Sequence, residues 1–148
     1  MAYVRYDRTE AYVAAVADVE VNPADGQVRV TRVVVAHDCG LIINPDGLKN
    51  QIEGNVIQAI SRTLKEEVRF DRAQITSLDW RMYPILRFPE IPEVVIELIN
   101  HPDQPALGAG EPANSAIPAA LANAIFNATG ARLRTVPFTP ERVKATLS

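Results

Sequence analysis

The residue best placed for chemistry in this sequence is Glu111, in the run Leu107-Gly108-Ala109-Gly110-Glu111-Pro112. Gly108 and Gly110 allow backbone conformations and close approaches that other residues do not, and Pro112 stiffens the segment that follows. A carboxylate with apolar neighbours is a better proton acceptor near neutral pH, as a general base must be. The alternative is a surface carboxylate in a tight loop, because most glutamates are exposed. The residues alone leave both interpretations open.

The same run formally matches the G-x-G-x-x-G/A fingerprint of dinucleotide-binding proteins. In that fingerprint the glycines directly follow a strand and open a helix, whereas here a loop precedes them and Pro112 interrupts. No acidic residue lies about 20 positions further on, where a ribose partner would be expected. We therefore do not expect a nicotinamide or flavin dinucleotide site.

A second group of reactive residues is His37, Asp38 and Cys39. The chain contains two histidines and one cysteine, too few to assemble a zinc site. Nothing near Cys39 resembles the environment of an activated nucleophile. We expect a loop aspartate and a half-buried cysteine at the end of a strand, and no metal ligand.

Gln51 lies near the start of a predicted helix, one residue before a core position. On sequence alone it is a solvated or capping amide. Gly54, inside the same helix, costs about 1 kcal/mol relative to alanine. Such a glycine indicates close packing against another backbone or a ligand.

The elements that carry these residues follow from hydrophobic periodicity. Alternating residues predict strands over 12–21 and 27–35, joined as a hairpin by a turn at 22–26. A helix over 48–67 is predicted by apolar residues at intervals of four, widened by Ile57. These residues are Leu48, Ile52, Val56, Ile60, Leu64 and Val68.

The second half of the chain has weaker patterns. A further strand is predicted over 93–99, and an alanine-rich helix over 117–129, capped by Asn114 or Ser115 and buried on most sides. Short strands at 68–71 and 132–136, an irregular crossing to residue 91 and a last helix capped by Thr139 complete the prediction. The predicted fold class is α+β, with a hairpin and further strands packed on two main helices.

The composition excludes several functional classes. With 148 residues, 47% of them hydrophobic and 22% charged, the chain fits one globular domain. A net charge of −3 without a basic run argues against a nucleic-acid surface. No apolar stretch approaches the roughly 18 residues of a membrane span, and the first residues lack a signal-peptide core. The cytoplasm is the default location. Since a strand begins almost at once, we expect the chain to be the C-terminal piece of something larger.

Three ordered blocks carry a family resemblance. They are His37-Asp38-Cys39-Gly40 with Asn44-Pro45, then Gln51-Ile52-Glu53-Gly54, then Gly108-Ala109-Gly110-Glu111; the tail from Ala119 to Ile125, Ala128-Thr129-Gly130 and Arg134 also fit. This order resembles the C-terminal part of the large, molybdenum-cofactor-binding subunit of the xanthine oxidase / aldehyde oxidase family. Within that family, the beta chains of the isoquinoline 1-oxidoreductase type look most similar.

The resemblance implies a role for each candidate residue. Glu111 would be the catalytic glutamate, which takes a proton from the water-derived oxygen that attacks the substrate carbon. Gln51 and the backbone at Gly108 and Gly110 would lie against a molybdenum–pterin cofactor, in its mononuclear or cytosine dinucleotide form. The pterin holds the metal in this family, so no protein ligand to molybdenum is implied.

The resemblance also implies partners. The family builds its site from several domains, so this chain alone should hold an incomplete site. It would need the remaining molybdopterin-binding domains or subunit, an Fe–S electron-transfer subunit and a small-molecule substrate, and for such an enzyme the periplasm is an alternative location. Two departures bear on the cofactor's approach: Asn50 and Asn55 stand where the family often has glycine.

Two functions follow as expectations. The first is part of a molybdenum hydroxylase that oxidises an aldehyde or an N-heteroaromatic carbon with water as the oxygen source. The alternative is a non-catalytic structural or interaction domain remaining from a truncated gene. Exposure of the Leu48, Ile52, Val56 and Ile60 stripe would indicate a surface that awaits missing domains.

Overall fold

A mixed sheet of four strands forms one layer of the computed structural model, which describes residues 1–7 and 11–147. The strands are β1 (Ala2–Tyr6), β2 (Ala11–Val21), β3 (Val28–Asp38) and β4 (Glu93–Ile99), in that spatial order. β1, β2 and β3 are antiparallel neighbours, and β4 lies parallel to β3. Two long helices, α1 (Pro45–Leu64) and α2 (Pro112–Thr129), pack on the sheet and on each other. The α+β class is therefore confirmed.

The predicted hairpin is the centre of this sheet. Along β2 and β3 buried and more exposed residues alternate, as they must in a sheet covered on one face. The turn between them needs Gly26, whose φ is +81° and whose missing Cβ would lie 2.1 Å from the Pro140 carbonyl oxygen. Sequence periodicity and turn chemistry thus located this element correctly.

Both edges of the sheet differ from the expectation. No element was expected before β2, yet β1 pairs with it from Ala2 opposite Ala15 to Tyr6 opposite Ala11. β4 was expected as a lone strand, but it joins β3 in parallel, after a crossover that contains α1. Parallel pairing needs such a long crossover, so a local sequence pattern does not show that β4 pairs with β3.

Helix α1 begins three residues before its predicted start. Asn44 caps it, its Oδ1 accepting a hydrogen bond of 2.9 Å from the Gly47 amide, and Pro45 occupies the first turn. Five of the six stripe residues are buried, and three of them have no exposed surface. Burial stabilises each such aliphatic side chain by roughly 1.5–3 kcal/mol. Because the helix ends at Leu64, Val68 lies outside it and is exposed. The stripe therefore packs into the chain's own core.

Helix α2 begins five residues before the prediction, with Pro112 in its first turn. Asn114 and Ser115 are consequently helical residues rather than caps, and Glu111 takes the N-cap position. Gly130 ends the helix at φ +75°, as predicted. One face is buried and the other is open, so the expectation of burial on most sides was wrong.

The remaining segments are short or irregular. α3 (Pro140–Leu147) begins after Thr139, whose Oγ1 accepts a hydrogen bond from the Arg142 amide as predicted for a cap. The strands expected at 68–71 and 132–136 are not formed, apart from one bridge between Phe70 and Ile75. Among the described residues, none of the helices is both long and apolar enough to cross a bilayer.

Candidate active site

Two adjoining grooves lie beside the N-terminal end of α2. The first, which we call the amide groove, has a volume of about 480 Å3. It is lined by Asn50, Gln51, Gly54, Asn55, Gln58, Arg62, Gly110, Glu111 and Asn114. The second, the apolar groove, has a volume of about 400 Å3 and is lined mainly by residues 39–48 and 106–110. Gln51 and Gly110 line both, so the two grooves meet at these residues.

The structure brings three of the four predicted site residues together in the amide groove. Gln51, Gly110 and Glu111 line its wall. Gly108 does not line either groove, although it lies on the same loop. The sequence blocks that carried these residues are more than 50 positions apart, and the fold makes them neighbours.

Glu111 occupies the N-cap of α2 but does not cap it with its side chain. Its carboxylate Oε2 instead accepts a hydrogen bond of 2.5 Å from the Tyr6 hydroxyl of β1. Within the described residues its other oxygen, Oε1, has no hydrogen-bond donor. The side chain is exposed to the groove rather than enclosed by apolar neighbours, so this chain does not supply the apolar setting expected from the sequence.

The floor of the amide groove is a polar stripe along α1. Gln51, Asn55, Gln58 and Arg62 recur at helical spacing and all line it. Gln51 lies in the second turn with an exposed side chain, so it is not the capping amide that was considered. The stripe presents amide donors and acceptors, with a guanidinium at its far end. Such a surface suits a flat, polar ligand with several hydrogen-bonding edges.

Asn55 joins the two walls of the groove. Its Nδ2 donates hydrogen bonds of 2.7 Å to the backbone oxygens of Gln51, one turn earlier, and of Gly110, on the loop before α2. It is 8% exposed. Asn55, which stands where the family often has glycine, therefore ties α1 to the loop that carries Glu111.

Glycines leave the groove open at two positions. A Cβ added to Gly54 or to Gly110 would meet no atom of the described residues within 4 Å, apart from its chain neighbours and, for Gly54, the backbone of its own helix. The sequence predicted that Gly54 packs closely against a backbone or a ligand. Close packing within the described part of the chain is excluded, and the space above Gly54 belongs to the groove.

The block from His37 to Gly40 positions the loop that leads to Glu111. Gly40 has φ +74°, and a Cβ there would lie 2.1 Å from the Pro105 carbonyl oxygen. The Leu107 amide donates to the Cys39 carbonyl oxygen at 2.9 Å, and the Ala106 backbone bridges to Gly40. The requirement for glycine at position 40 is steric, because only glycine lets the two backbones approach so closely.

His37 and Cys39 are buried rather than placed for chemistry. The predicted strand ended at residue 35, but β3 continues through His37, which has no exposed surface and, among the described residues, no hydrogen-bond partner for either ring nitrogen. Burial lowers the pKa of His37, and the neighbouring charge of Asp38 opposes this shift. Cys39, expected to be half-buried, is 4% exposed, and burial followed by the charge of Asp38 raises the pKa of its thiol. Because the thiolate is the nucleophilic form of cysteine, a raised pKa does not favour a role for Cys39 as a nucleophile.

A further cleft of about 300 Å3 lies at the C-terminal end of α1. Most of its charged lining side chains are already in ion pairs: Lys65 pairs with Glu90, and Glu67 pairs with Arg69 and also with Arg142 beside the cleft. By contrast, the amide groove contains a carboxylate oxygen and amides that face solvent. In the described residues no three His, Cys, Asp or Glu side chains cluster as a metal site would require. The amide groove is the candidate site.

Sequence reasoning missed Tyr6, and it named Asn55 only as a departure from the family pattern, without its hydrogen bonds. The hydroxyl of Tyr6 reaches a residue 105 positions away, which no local pattern predicts. The polar stripe was detectable, because Gln51, Asn55, Gln58 and Arg62 share one helical face between the core positions.

A family model described as a molybdopterin cofactor-binding domain matches residues 4–92. The chain is 47% identical to a subunit of the nicotinate dehydrogenase of Pseudomonas putida, with 99% of this chain and 13% of that protein covered. It is 34% identical to the beta chain of the isoquinoline 1-oxidoreductase of Brevundimonas diminuta, with 95% and 18% covered.

Solved structures of two oxidoreductases also resemble this chain in fold and sequence. Quinoline 2-oxidoreductase from Pseudomonas putida 86 superposes with a TM-score of 0.85 at 32% identity, over 93% of this chain and 18% of that one. The aldehyde oxidoreductase from Desulfovibrio gigas superposes with a TM-score of 0.82 at 32% identity, over 93% and 15%. The chain therefore spans less than a fifth of the length of these relatives.

Proposed function

The chain belongs to the molybdopterin cofactor-binding domain family of the xanthine oxidase-type molybdenum hydroxylases, and from that premise we propose that Glu111 is the general base of such an enzyme. The observation that carries the proposal is the shared wall of the amide groove, where the Glu111 carboxylate lies with Gln51 and Gly110. A general base must be within hydrogen-bond reach of the proton it takes, and Glu111 has an oxygen facing open space. The chain's own residues thus supply the base and one wall of the site.

The groove fits a pterin cofactor in its size and chemistry. The open space above Gly54 and Gly110 gives room for a ring system against the backbone. The amides of Gln51 and Gln58 offer both donors and acceptors, as the polar edges of a pterin require. Gly108 would act through the loop rather than by lining the groove. Of the predicted residues, Gln51 and Gly110 are the ones that would contact the cofactor.

When bound, the molybdenum–pterin cofactor would supply the two-electron oxidation by which a water-derived oxygen is added to the substrate carbon. Glu111 would accept the proton released from that oxygen at Oε1. Arg62, at the far end of the groove, would offer a positive charge to an anionic group. The cofactor would be present in either the mononuclear form or the cytosine dinucleotide form.

The substrate class we propose is an N-heteroaromatic compound or an aldehyde. Relatives named for nicotinate, isoquinoline and quinoline support the first, and those named for aldehydes support the second. Since the chain spans less than a fifth of these relatives, the remaining molybdopterin-binding domains would have to complete the site. An Fe–S subunit would receive the electrons. The chain would serve as a domain or split subunit, inactive alone.

The test is Glu111→Gln in the assembled enzyme. This change keeps the size of the side chain and removes its charge, so turnover should fall by a factor of about 100 or more, within the range for losing a general base. Molybdenum content, measured by elemental analysis, should remain at the wild-type level. Glu53→Gln is the matched control, because Glu53 is exposed on α1 outside the groove.

Two outcomes would contradict the proposal. Activity of the Glu111→Gln enzyme within a fewfold of wild type would exclude Glu111 as the base. A purified enzyme without molybdenum or a larger partner would favour the non-catalytic alternative.

A further inference from the structure

Glu111 has a partner on the first strand of the chain. The Tyr6 hydroxyl donates to Glu111 Oε2 at 2.5 Å, across 105 positions of sequence. We propose that Tyr6 is the positioning residue of Glu111: it holds Oε2 so that Oε1 points into the amide groove as the proton acceptor. This inference rests on the proposed function of Glu111.

Both ends of the hydrogen bond are fixed by regular structure. Tyr6 is the last residue of β1, paired with Ala11 of β2, and its partly buried ring packs against the core. Glu111 is the N-cap of α2, and α2 packs on β1 and β2. A glutamate side chain at an exposed position keeps most of its rotational freedom unless something holds it. The phenol supplies that restraint from a strand that is paired with β2.

The pair can hold the carboxylate in place without any proton transfer between its two members. A neutral phenol that donates to a carboxylate forms a charge-assisted hydrogen bond, which is about twice as strong as a neutral one. The tyrosine proton stays on its oxygen throughout. Oε1 forms a bond to the incoming proton as the oxygen–hydrogen bond of the water-derived nucleophile breaks, and neither residue gains or loses electrons. Tyr6 therefore acts through Glu111 and does not touch the reacting atoms.

The loop side of Glu111 is held independently. Asn55 bonds the Gly110 carbonyl oxygen at 2.7 Å and so fixes the backbone next to Glu111. Tyr6 fixes the carboxylate itself. Removal of the hydroxyl should consequently disorient the carboxylate without moving the loop.

The test compares Tyr6→Phe, Glu111→Gln and the double variant in the assembled enzyme, with rates expressed per bound molybdenum. Loss of one charge-assisted hydrogen bond should lower kcat roughly 10- to 100-fold. KM should stay within about twofold, since the hydroxyl does not contact substrate. In the Glu111→Gln background, Tyr6→Phe should have no further effect. The matched control is Tyr3→Phe on the same strand, because the Tyr3 ring is exposed and stacks on Tyr12.

A second readout does not depend on turnover. Infrared difference spectra of the 148-residue chain should show a shifted carboxylate band in Tyr6→Phe relative to wild type. The band should not shift in Tyr3→Phe. It should also not shift when the double variant is compared with Glu111→Gln alone. A wild-type kcat in Tyr6→Phe while Glu111→Gln is inactive would overturn this inference and leave the proposed function intact. An active Glu111→Gln enzyme would overturn the proposed function, and this inference with it.

Discussion

Replacement of Gly54 tests whether the amide groove is built to be filled. Gly54 lies in the interior of α1, where glycine is about 1 kcal/mol less favourable than alanine. A Cβ there would meet no described atom within 4 Å outside the backbone of its own helix, so Gly54→Ala introduces no clash with other parts of the described structure. The free energy of unfolding should therefore rise by about 1 kcal/mol. For a chain of this size, the melting temperature should rise by roughly 2–4 °C.

In the assembled enzyme, molybdenum content and activity should decrease as the side chain at position 54 becomes larger, although the chain itself becomes more stable. Leucine has almost the same helix propensity as alanine, so Gly54→Leu should also stabilise the chain. Its side chain would extend into the groove that Gln51 and Glu111 line. Molybdenum content and activity should then fall strongly for leucine and less for alanine. Urea unfolding of the chain and elemental analysis of the enzyme measure the two effects separately.

Glu53→Ala is the control for the two substitutions at Gly54. Glu53→Ala changes the neighbouring exposed residue, which does not line the groove, and should alter neither quantity appreciably. A Gly54→Ala chain that is less stable than wild type would show that the open space inferred above Gly54 is wrong. A Gly54→Leu enzyme that is fully loaded with molybdenum would show that nothing occupies the groove at that position.

Two further predictions concern stability. Because burial lowers the pKa of His37, the unfolded chain binds a proton that the folded chain does not, so stability should fall as the pH drops through about 6.5. His37→Leu should make stability less dependent on pH. Urea unfolding midpoints at pH values of about 5.5 and 7.5, on either side of the ordinary histidine pKa, would measure this dependence. An equal difference between the two midpoints in wild type and variant would contradict the prediction. Asn55→Ala should cost about 1 kcal/mol, since it removes the bond to the Gly110 carbonyl oxygen. Equal unfolding free energies for wild type and variant would exclude a net contribution of that bond.

Local patterns in the sequence predicted the elements whose causes are local. The β2–β3 hairpin follows from alternation and a turn glycine, and α1 follows from apolar residues every four positions. The boundaries were less accurate. The α2 start was placed at the usual capping residues near Asn114, although Pro112 is equally suited to a first turn.

What the sequence alone did not predict depends on distant partners. The β3–β4 pairing joins residues such as Arg32 and Glu93, and no short window contains both. The contact of Tyr6 with Glu111 is of the same kind, as is the bond from Asn55 to Gly110. The candidate residues themselves came from ordered motifs, but the geometry that links them comes from the tertiary fold.

The wide separation in sequence of the groove's walls has a consequence for the order in which the chain acquires structure. The β2–β3 hairpin and α1 are built from near neighbours, whereas the groove requires residues 50–62 to meet residues 110–114. Closing such long loops costs entropy before any contact repays it. We therefore expect the groove to be among the last features to form and among the first to open under mild denaturing conditions. A ligand that occupies it would stabilise that final step by mass action, so that cofactor loading and completion of the fold become one coupled equilibrium.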